Sequence, residues 1–276
     1  MDEILKKTQS LQLALALEVK RICKKHGLRY FLIAGSLLGA VRHQGFIPWD
    51  DDLDIGFFRE DYDRFLALCR TELDPERFFL QDFSTDPGYG LCFAKLRLNG
   101  TRYVEKSARK AEAHSGIYID LFPFDNVPAE ERLQNRQNRR TYFYKRLLLL
   151  KQGYRFWKRE EWLKRAVYGI LRIPALFLSA GTIHRHLEKE MRRYNGRETE
   201  KVVAVGGSYG YKKESVERRW MQETVELPFE GERLSCPKAY DAYLTYFYGD
   251  YRTPPPPEKR GDRHQIVQID LGVYGQ

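Results

Sequence analysis

Carboxylates crowd one short stretch of the chain, where Asp50, Asp51, Asp52 and Asp54 place four negative charges within five residues. Such crowding raises carboxylate pKa values unless cations neutralise it, and Mg²⁺ and Mn²⁺ are hard ions that prefer oxygen ligands. Polar and apolar residues alternate from Asp52 to Phe57, which predicts a strand with both of its aspartates on one face. Their backbones would lie about 6–7 Å apart. That separation suits two metal ions spaced about 3.5–4 Å, as in two-metal phosphoryl transfer.

A glycine-serine turn precedes this acidic segment. The apolar run from Phe31 to Ala34 has the length of a strand, and it ends at Gly35-Ser36, where a short apolar run of helical character begins. Free N–H groups at the start of a helix favour a phosphate, and the Ser36 hydroxyl adds a further donor. An acidic segment alone is also consistent with a solvated turn, but its position after this turn favours a phosphate and metal site.

Further residues fit the same chemistry. Asp120 interrupts an apolar run, where a lone carboxylate is costly unless it is paired or metal-bound, so it is the candidate third carboxylate. Lys95 and Arg97 share one face of a predicted strand, which is useful against phosphate and equally ordinary on a solvent-facing strand. Arg42 is a candidate phosphate contact. His264 is a candidate ligand contact, with an exposed histidine as the alternative.

Hydrophobic periodicity predicts the elements that must position these residues. Helices are predicted over residues 3–25, 60–73 and 238–248, and strands over 92–98, 101–104, 116–123 and 201–205. The Asn99-Gly100 dipeptide predicts a tight hairpin between the strands that flank it. Asp120 therefore lies inside the strand predicted at 116–123. Gly206-Gly207-Ser208 is predicted to form a loop after the strand at 201–205.

One segment carries the excess of basic residues. Between Arg132 and Arg193 there are 17 Lys and Arg against four acidic residues, a local charge of +13, whereas the remainder of the chain has a charge of −4. The pattern from about residue 130 to 195 is helical, with Tyr142 and Phe143 on an expected apolar stripe and a further apolar stretch at 166–180. This segment could lie on an anionic membrane surface or line a groove for an acidic polymer, nucleic acid included. The alternative is a helical insertion with a solvated basic face.

Composition indicates a globular protein with room for a large core. The chain has 276 residues, of which 42% are hydrophobic and 14% aromatic. The four cysteines are far apart, without the C-x-x-C spacing of zinc or redox sites, and they are expected to be reduced and mostly buried. The acidic N-terminus does not fit a secretory signal, and no apolar run approaches the roughly 20 residues of a membrane span. We therefore expect a cytoplasmic protein.

Residues 35–54, GSLLGAVRHQGFIPWDDDLD, closely resemble the signature of LicD-type phosphocholine transferases. Fukutin-related glycan phosphotransferases are similar through the same block. The resemblance extends to residues 116–123 (GIYIDLFP) and 248–251 (YGDY), with the prolines and His264 after them. It covers most of the chain outside the basic segment.

The resemblance implies an α+β, nucleotidyltransferase-like fold, in which helices flank a small mixed β-sheet. It implies a catalytic core at residues 1–130, a basic helical insertion at 131–200, and a C-terminal part at 201–276 that completes the catalytic domain. Gly35 and Ser36 would then bind phosphate. The residues implied to hold Mg²⁺ or Mn²⁺ are Asp52, Asp54 and Asp120. Asp50 also falls on the motif, as a ligand or as a neighbouring anion.

Members of this family move a phospho-substituent, commonly phosphocholine, from a CDP-activated donor to a sugar hydroxyl of a cell-surface glycan such as lipopolysaccharide or teichoic acid. The resemblance therefore implies a CDP-choline-like donor, a glycan or glycolipid acceptor and no nucleic-acid partner. The same three aspartates would be catalytic, with Asp120 as the general base. The side chains of Arg42, Lys95 and His264 would contact the substrate.

Two other functions fit the residues. A nucleotidyltransferase on the same fold would add a nucleoside monophosphate to a small molecule. A non-enzymatic protein would bind polyanions or a membrane surface through the +13 segment, and that binding would not need the aspartates. A peripheral position at the inner face of the membrane is compatible with the basic segment in either enzyme.

Overall fold

The computed structural model describes residues 2–154, 175–256, 258, 260–261 and 265–275. Its helices are Asp2–His26 (α1), Ala34–His43 (α2), Arg59–Glu72 (α3), Glu131–Lys151 (α4), Ala180–Met191 (α5), Tyr211–Glu214 (α6), Arg218–Gln222 (α7) and Tyr240–Tyr248 (α8). Its strands are Phe31–Leu32 (β1), Asp54–Phe58 (β2), Phe78–Gln81 (β3), Ala94–Leu98 (β4), Arg102–Glu105 (β5), Tyr118–Val127 (β6), Lys201–Val203 (β7), Ser215–Glu217 (β8), Thr224–Phe229 (β9), Glu232–Pro237 (β10) and Ile266–Asp270 (β11). The prediction of an α+β protein is confirmed.

A mixed sheet of seven strands lies at the centre of the described chain. Its strand order is β1-β2-β6-β4-β3, and β7 and β8 continue the sheet from β6. Strands β2 and β6 run parallel, and the other neighbours run antiparallel. The ten residues of β6 pair first with β2 and β4 and then with β7. The sheet is therefore assembled around β6.

Three helices occupy the places that hydrophobic periodicity predicts. In α1 and α3, Leu15, Ile22 and Phe65 are fully buried, whereas Ile4 near the start of α1 is exposed. α1 packs on α3, β4 and β6, and α8 packs on α2. Gly27 follows α1 at a φ of +64°, a left-handed conformation that favours glycine and ends the helix. The helices predicted near residues 3–25, 60–73 and 238–248 are confirmed.

The hairpin predicted at Asn99-Gly100 is wrong. The chain turns at Gly100, whose φ is +73°, but β5 pairs with β11 and not with β4. Strand β4 has no edge left for β5, because β3 and β6 pair with its two sides. β5 and β11 therefore form a separate antiparallel pair.

The described part of the basic segment contains two helices, α4 and α5, that pack together. Gln137 of α4 donates from Nε2 to the carbonyl of Glu190 at 3.1 Å, and Arg140 forms an ion pair with the Glu190 carboxylate at 2.8 Å. These contacts join the end of α5 to the middle of α4. The helical character predicted for this segment is confirmed where it is described.

The apolar stripe predicted for α4 is wrong at Tyr142 and Phe143, which are exposed. The face that packs inward includes Thr141 and Leu148, which are buried and lie two turns apart on the side of α4 that meets the rest of the protein. The apolar stretch predicted at 166–180 lies mostly outside the described residues. No described helix combines the length and the apolar character needed to cross a membrane.

An ion pair inside the protein joins α3 to β6. Arg59 Nε lies 2.7 Å from Asp125 Oδ1, and the Asp125 side chain is completely buried. Asn195 donates to the same oxygen at 2.6 Å. Burial alone would lower the pKa of Arg59, but the Asp125 carboxylate more than offsets this effect and the pKa is raised. The Asp125 carboxylate therefore keeps the Arg59 guanidinium charged in the interior.

Replacement of Arg59 by Met (R59M) is expected to lower the free energy of unfolding by about 3–5 kcal/mol, because the buried Asp125 carboxylate loses its partner. The control K238M removes an exposed pair, in which Lys238 lies 2.7 Å from Glu223, and is expected to cost much less because solvent screens this pair. Urea unfolding followed by circular dichroism measures both losses. Equal losses in the two variants would contradict the role assigned to the buried pair.

Candidate active site

Three charged side chains lie side by side across the middle of the sheet. The parallel pairing of β2 with β6 places Asp54 opposite Asp120, and the antiparallel pairing of β4 with β6 places Lys95 opposite Asp120. Because neighbouring strands are about 4.8 Å apart, these residues form one continuous row. The row and Asp52 line the same cavity of about 550 Å³. The structure therefore brings together Lys95 and the three aspartates that the sequence predicts.

Side chains alternate along the segment around β2, so that acidic residues face the cavity and apolar residues face the core. Leu53, Ile55 and Phe57 are completely buried, whereas Asp54 lies on the opposite side and lines the cavity. Strand β2 begins at Asp54, so the strand predicted from Asp52 starts two residues too early. Asp52 belongs to the segment before the strand and still reaches the same cavity.

Lys95 is the cation of the row, and its side chain is almost completely buried. Its Nζ lies 2.7 Å from Asp120 Oδ1, 3.6 Å from Glu105 Oε1 and 3.3 Å from the centre of the Tyr118 ring. The Tyr118 hydroxyl donates to Glu105 at 2.7 Å. Burial raises the pKa of Asp120, and Glu105 and Asp52 add to this effect, while Lys95 opposes it. The pKa of Asp120 remains above its ordinary value.

Two glutamines of α1 position the acidic segment. Gln9 donates from Nε2 to the carbonyl of Asp50 at 2.9 Å, and Gln12 donates to the carbonyl of Asp51 at 2.9 Å. Gln12 also lies 3.3 Å from the carbonyl of Tyr118 in β6. These hydrogen bonds end on backbone oxygens, so they fix the segment without using the aspartate carboxylates.

The predicted glycine-serine turn supports the acidic segment from the first turn of α2. Ser36 is buried, and its Oγ accepts a hydrogen bond from the Asp54 N–H at 2.8 Å. A Cβ on Gly35 would lie 2.7 Å from a carboxylate oxygen of Asp50, so a side chain there would displace that group. The described lining of the cavity includes the two residues before this turn but neither residue of the turn itself. Phosphate binding by Gly35 and Ser36 stays a prediction.

Arg42 lies away from the cavity lining among the described residues. Its guanidinium donates to the carbonyl of Tyr251 at 2.8 Å and to Nε2 of His43 at 3.0 Å. Burial lowers the pKa of Arg42, and Arg260 lowers it further. In this arrangement Arg42 ties α2 to the C-terminal segment. His264 lies outside the described residues.

Sequence reasoning did not assign one part of the cavity wall to the site. Lys145 and Arg146 of α4 line this wall, together with residues 204–210 and Glu214. Lys145 Nζ donates to the carbonyl of Val205 at 2.8 Å and so joins α4 to the loop. The basic helix and the glycine-rich loop were both visible in the sequence. Their presence in the same cavity lining as the acidic strands depends on contacts distant along the chain.

Glu214 is a buried acid in this wall. Its Oε1 accepts a hydrogen bond from the Tyr209 N–H at 3.0 Å, and a Cβ on Gly207 would overlap its carboxylate. Burial raises the pKa of Glu214 to about 7, against the opposing effects of the Tyr209 N–H, Lys145 and Lys213. Its charge therefore changes near neutral pH.

The carboxylates offer two overlapping groups of oxygen ligands. Asp52, Asp54 and Asp120 line the cavity together. Asp50, Asp51 and Asp52 each offer a ligand atom, and these atoms lie within 4.8 Å of one another. Both groups consist only of oxygen donors, which fit hard divalent ions such as Mg²⁺ and Mn²⁺. Asp52 is common to the two groups.

Comparison with known families finds a match for one part of the chain. Residues 27–157 match the family model described as LicD/FKTN/FKRP, nucleotidyltransferase domain. This range contains the whole row of Asp54, Lys95 and Asp120, and also α4. The chain therefore carries a LicD-family domain. The domain boundary predicted at residue 131 stays a prediction.

Two relatives make the resemblance more specific. The chain is 27% identical over 251 residues to the lipopolysaccharide cholinephosphotransferase LicD of Haemophilus influenzae, and this match covers 88% of this chain and 89% of that protein. It is 60% identical over 35 residues to the ribitol 5-phosphate transferase FKRP of Homo sapiens, which is 13% of this chain and 7% of FKRP. The chain is homologous to both proteins.

The stability of the wild-type protein is expected to fall between pH 5 and pH 8 by more than that of E214Q. The folded-state pKa of about 7 exceeds the ordinary value of 4.5, so the folded protein binds the proton more tightly than the unfolded chain and loses stability as the carboxyl ionises. A shift of this size corresponds to about 3 kcal/mol. Urea unfolding at several pH values measures the difference. The amide oxygen of E214Q can still accept a hydrogen bond from the Tyr209 N–H, so the variant removes the ionisable group and keeps this contact. Parallel pH profiles of the two proteins would contradict the prediction.

Proposed function

We propose that this protein is a metal-dependent phosphotransferase that moves an alcohol phosphate from a CDP-linked donor to a sugar hydroxyl of a cell-surface glycan. The observation that carries the proposal is the pairing of Asp54 with Asp120, beside Asp52, in a cavity that Lys145 and Arg146 also line. Membership of the LicD family supports the reaction class. We assign the central sheet and its helices to a nucleotidyltransferase-like core on the same basis.

Asp52, Asp54 and Asp120 would hold Mg²⁺ or Mn²⁺ through their carboxylate oxygens. The bound ion would neutralise the diphosphate of the donor and stabilise the leaving cytidine monophosphate. Lys145 and Arg146 also line the cavity, and they would add positive charge near this diphosphate. Ala34, the first residue of α2, lines the cavity, and we propose that the N–H groups of the Gly35-Ser36 turn beside it bind a phosphate of the donor.

The transfer itself exchanges one P–O bond for another. The acceptor oxygen bonds to the phosphorus of the alcohol phosphate, and the bond from that phosphorus to cytidine monophosphate breaks. Cytidine monophosphate leaves with the bonding electron pair. The acceptor hydroxyl gives its proton to a cavity carboxylate, and we assign this role to Asp120 because burial raises its pKa.

Phosphocholine is the transferred group that we propose. The relative named as a cholinephosphotransferase aligns over 88% of this chain, whereas the ribitol 5-phosphate transferase aligns over 13%. A lipopolysaccharide-like glycan or glycolipid is the corresponding acceptor. We further propose a cytoplasmic protein at the inner face of the membrane, where the net charge of the basic segment would favour anionic lipid.

A thermal-shift panel tests the donor. CDP-choline with Mg²⁺ or Mn²⁺ is expected to raise the melting temperature more than CDP-ribitol, CDP-glycerol or nucleoside triphosphates. A ligand that binds only the folded state stabilises it by about 2.7 kcal/mol at a hundredfold excess over its Kd. Mass spectrometry of an acceptor after turnover then decides the reaction. A gain of a nucleoside monophosphate would support the nucleotidyltransferase alternative and contradict the proposal.

The variants D54N and D120N are expected to lose at least about a hundredfold in turnover, because each removes one charge from the group that would hold the ion. The control D74N makes the same change at an exposed carboxylate and is expected to keep wild-type activity. Circular dichroism shows whether the variants fold. Wild-type turnover in D54N would contradict the assignment. If the protein were only a polyanion binder, its salt-sensitive binding would survive all three changes and no turnover would be found.

A further inference from the structure

Helix α4 carries positive charge on a side that faces solvent. It contains seven lysine and arginine residues against one acidic residue. Arg132, Arg136 and Arg139 are exposed, and no carboxylate in the described part of the chain pairs with them. Because these arginines are four and three residues apart, they lie on one side of the helix. We propose that this side, the α4 face, docks on an anionic membrane surface; this inference deepens the proposed function and rests on it for the acceptor.

An apolar side chain lies among these arginines. Phe143 follows Arg139 by four residues and Arg136 by seven, so it lies on the same side of α4, and it is 38% exposed. At a bilayer interface, basic side chains bind the lipid headgroups while aromatic side chains enter the layer below them. The α4 face therefore carries both kinds of side chain that an anionic membrane binds.

Two further apolar side chains are exposed beside the end of α4. Leu176 and Phe177 are 76% and 83% exposed, and adjacent apolar residues exposed to this extent are typical of an interaction surface. Lys151, in the last turn of α4, donates from Nζ to the carbonyl of Ala175 at 2.9 Å, so the pair begins next to this helix end. Nucleic acid bases stack on aromatic rings, but an aliphatic side chain such as Leu176 is stabilised only in an apolar phase. The combination favours lipid over a soluble polyanion.

The charge distribution of the whole chain orients the protein on such a surface. The residues between Arg132 and Arg193 have a net charge of +13, and the remainder of the chain has a net charge of −4. Anionic lipids attract the first part and repel the second, so electrostatic attraction selects the orientation in which the α4 face meets the membrane.

The cavity reaches the protein surface at the same helix. Tyr142 lines the cavity and is 54% exposed, so it marks a place where the cavity opens. Arg146 also lines the cavity, and its guanidinium lies 5.0 Å from the centre of the Tyr142 ring. Tyr142 directly precedes Phe143 of the α4 face. A protein docked through this face therefore holds the opening close to the lipid surface, where a glycolipid acceptor presents its sugar.

Co-sedimentation of the full-length protein with lipid vesicles tests the docking surface. The wild type is expected to bind vesicles of equimolar phosphatidylglycerol and phosphatidylcholine, and to stay in solution with vesicles of pure phosphatidylcholine. The double variant R136Q/R139Q is expected to bind about thirtyfold more weakly, which corresponds to about 1 kcal/mol for each arginine. The control R70Q/R102Q removes the same charge from exposed positions of α3 and β5 and is expected to bind nearly as tightly as the wild type.

A fluorescent label tests whether the apolar pair enters lipid. The four native cysteines are buried, so the environment-sensitive fluorophore NBD attaches selectively at F177C. Its emission is expected to shift to shorter wavelength with the anionic vesicles and to stay unchanged with heparin, a soluble polyanion. The same label at D74C, an exposed position after α3, is expected to shift with neither. Equal shifts with heparin and with vesicles at F177C would assign the surface to a soluble polyanion and overturn the inference.

The remaining outcomes separate the docking surface from the proposed reaction. Unchanged vesicle binding in R136Q/R139Q, or equal binding to both kinds of vesicle, would overturn the docking surface and leave the reaction standing. D54N alters the proposed metal site and not α4, so it is expected to bind vesicles as the wild type does. A wild type that docks through the α4 face but transfers no phosphate group from CDP-choline would overturn the reaction alone. Circular dichroism shows whether each variant folds.

Discussion

The contact between Lys95 and Asp120 is the interaction on which the centre of this protein depends. Asp120 lies in the middle strand of the sheet between Ile119 and Leu121, both of which are completely buried. A carboxylate at such a place is stable only if its charge is compensated, and Lys95 provides that compensation from the neighbouring strand at 2.7 Å. The same contact that permits the strand to form also sets the electrostatics of the cavity.

The side chains that position the acidic segment around this contact form hydrogen bonds mainly with backbone groups. Gln9 and Gln12 bind carbonyls of the acidic segment, and the Ser36 hydroxyl accepts from the Asp54 N–H. This division leaves the carboxylates facing the cavity and assigns their positioning to neutral side chains, which add no charge to an already acidic site. It also explains why the glycine-serine turn sits so close in sequence to the aspartates without lining the cavity among the described residues.

Local patterns predicted much of the fold, because helices such as α1 and α3 and the strand around Asp120 are set by periodicity within a short window. The three aspartates could be predicted in the same way. The pairing partners of the strands could not be predicted in this way. Strand β5 pairs with β11 and not with β4 because β3 and β6 already pair with both sides of β4. The wall formed by Lys145 and Glu214 depends on packing between distant segments, and no local pattern encodes it. For Lys95, the spacing left a phosphate contact and a solvent-facing charge equally open, and the structure shows that the side chain is buried beside Asp120 and does not face solvent.

Gln12 of α1 connects the acidic segment with β6, through the carbonyls of Asp51 and Tyr118, which lie 39 and 106 residues further along the chain. A site built from such distant parts has no local folding unit of its own. Contacts of this range form late and favour slow, cooperative folding. The cavity should therefore open only together with the central sheet, so hydrogen exchange of the amides behind the aspartates would report global unfolding and not a local fluctuation.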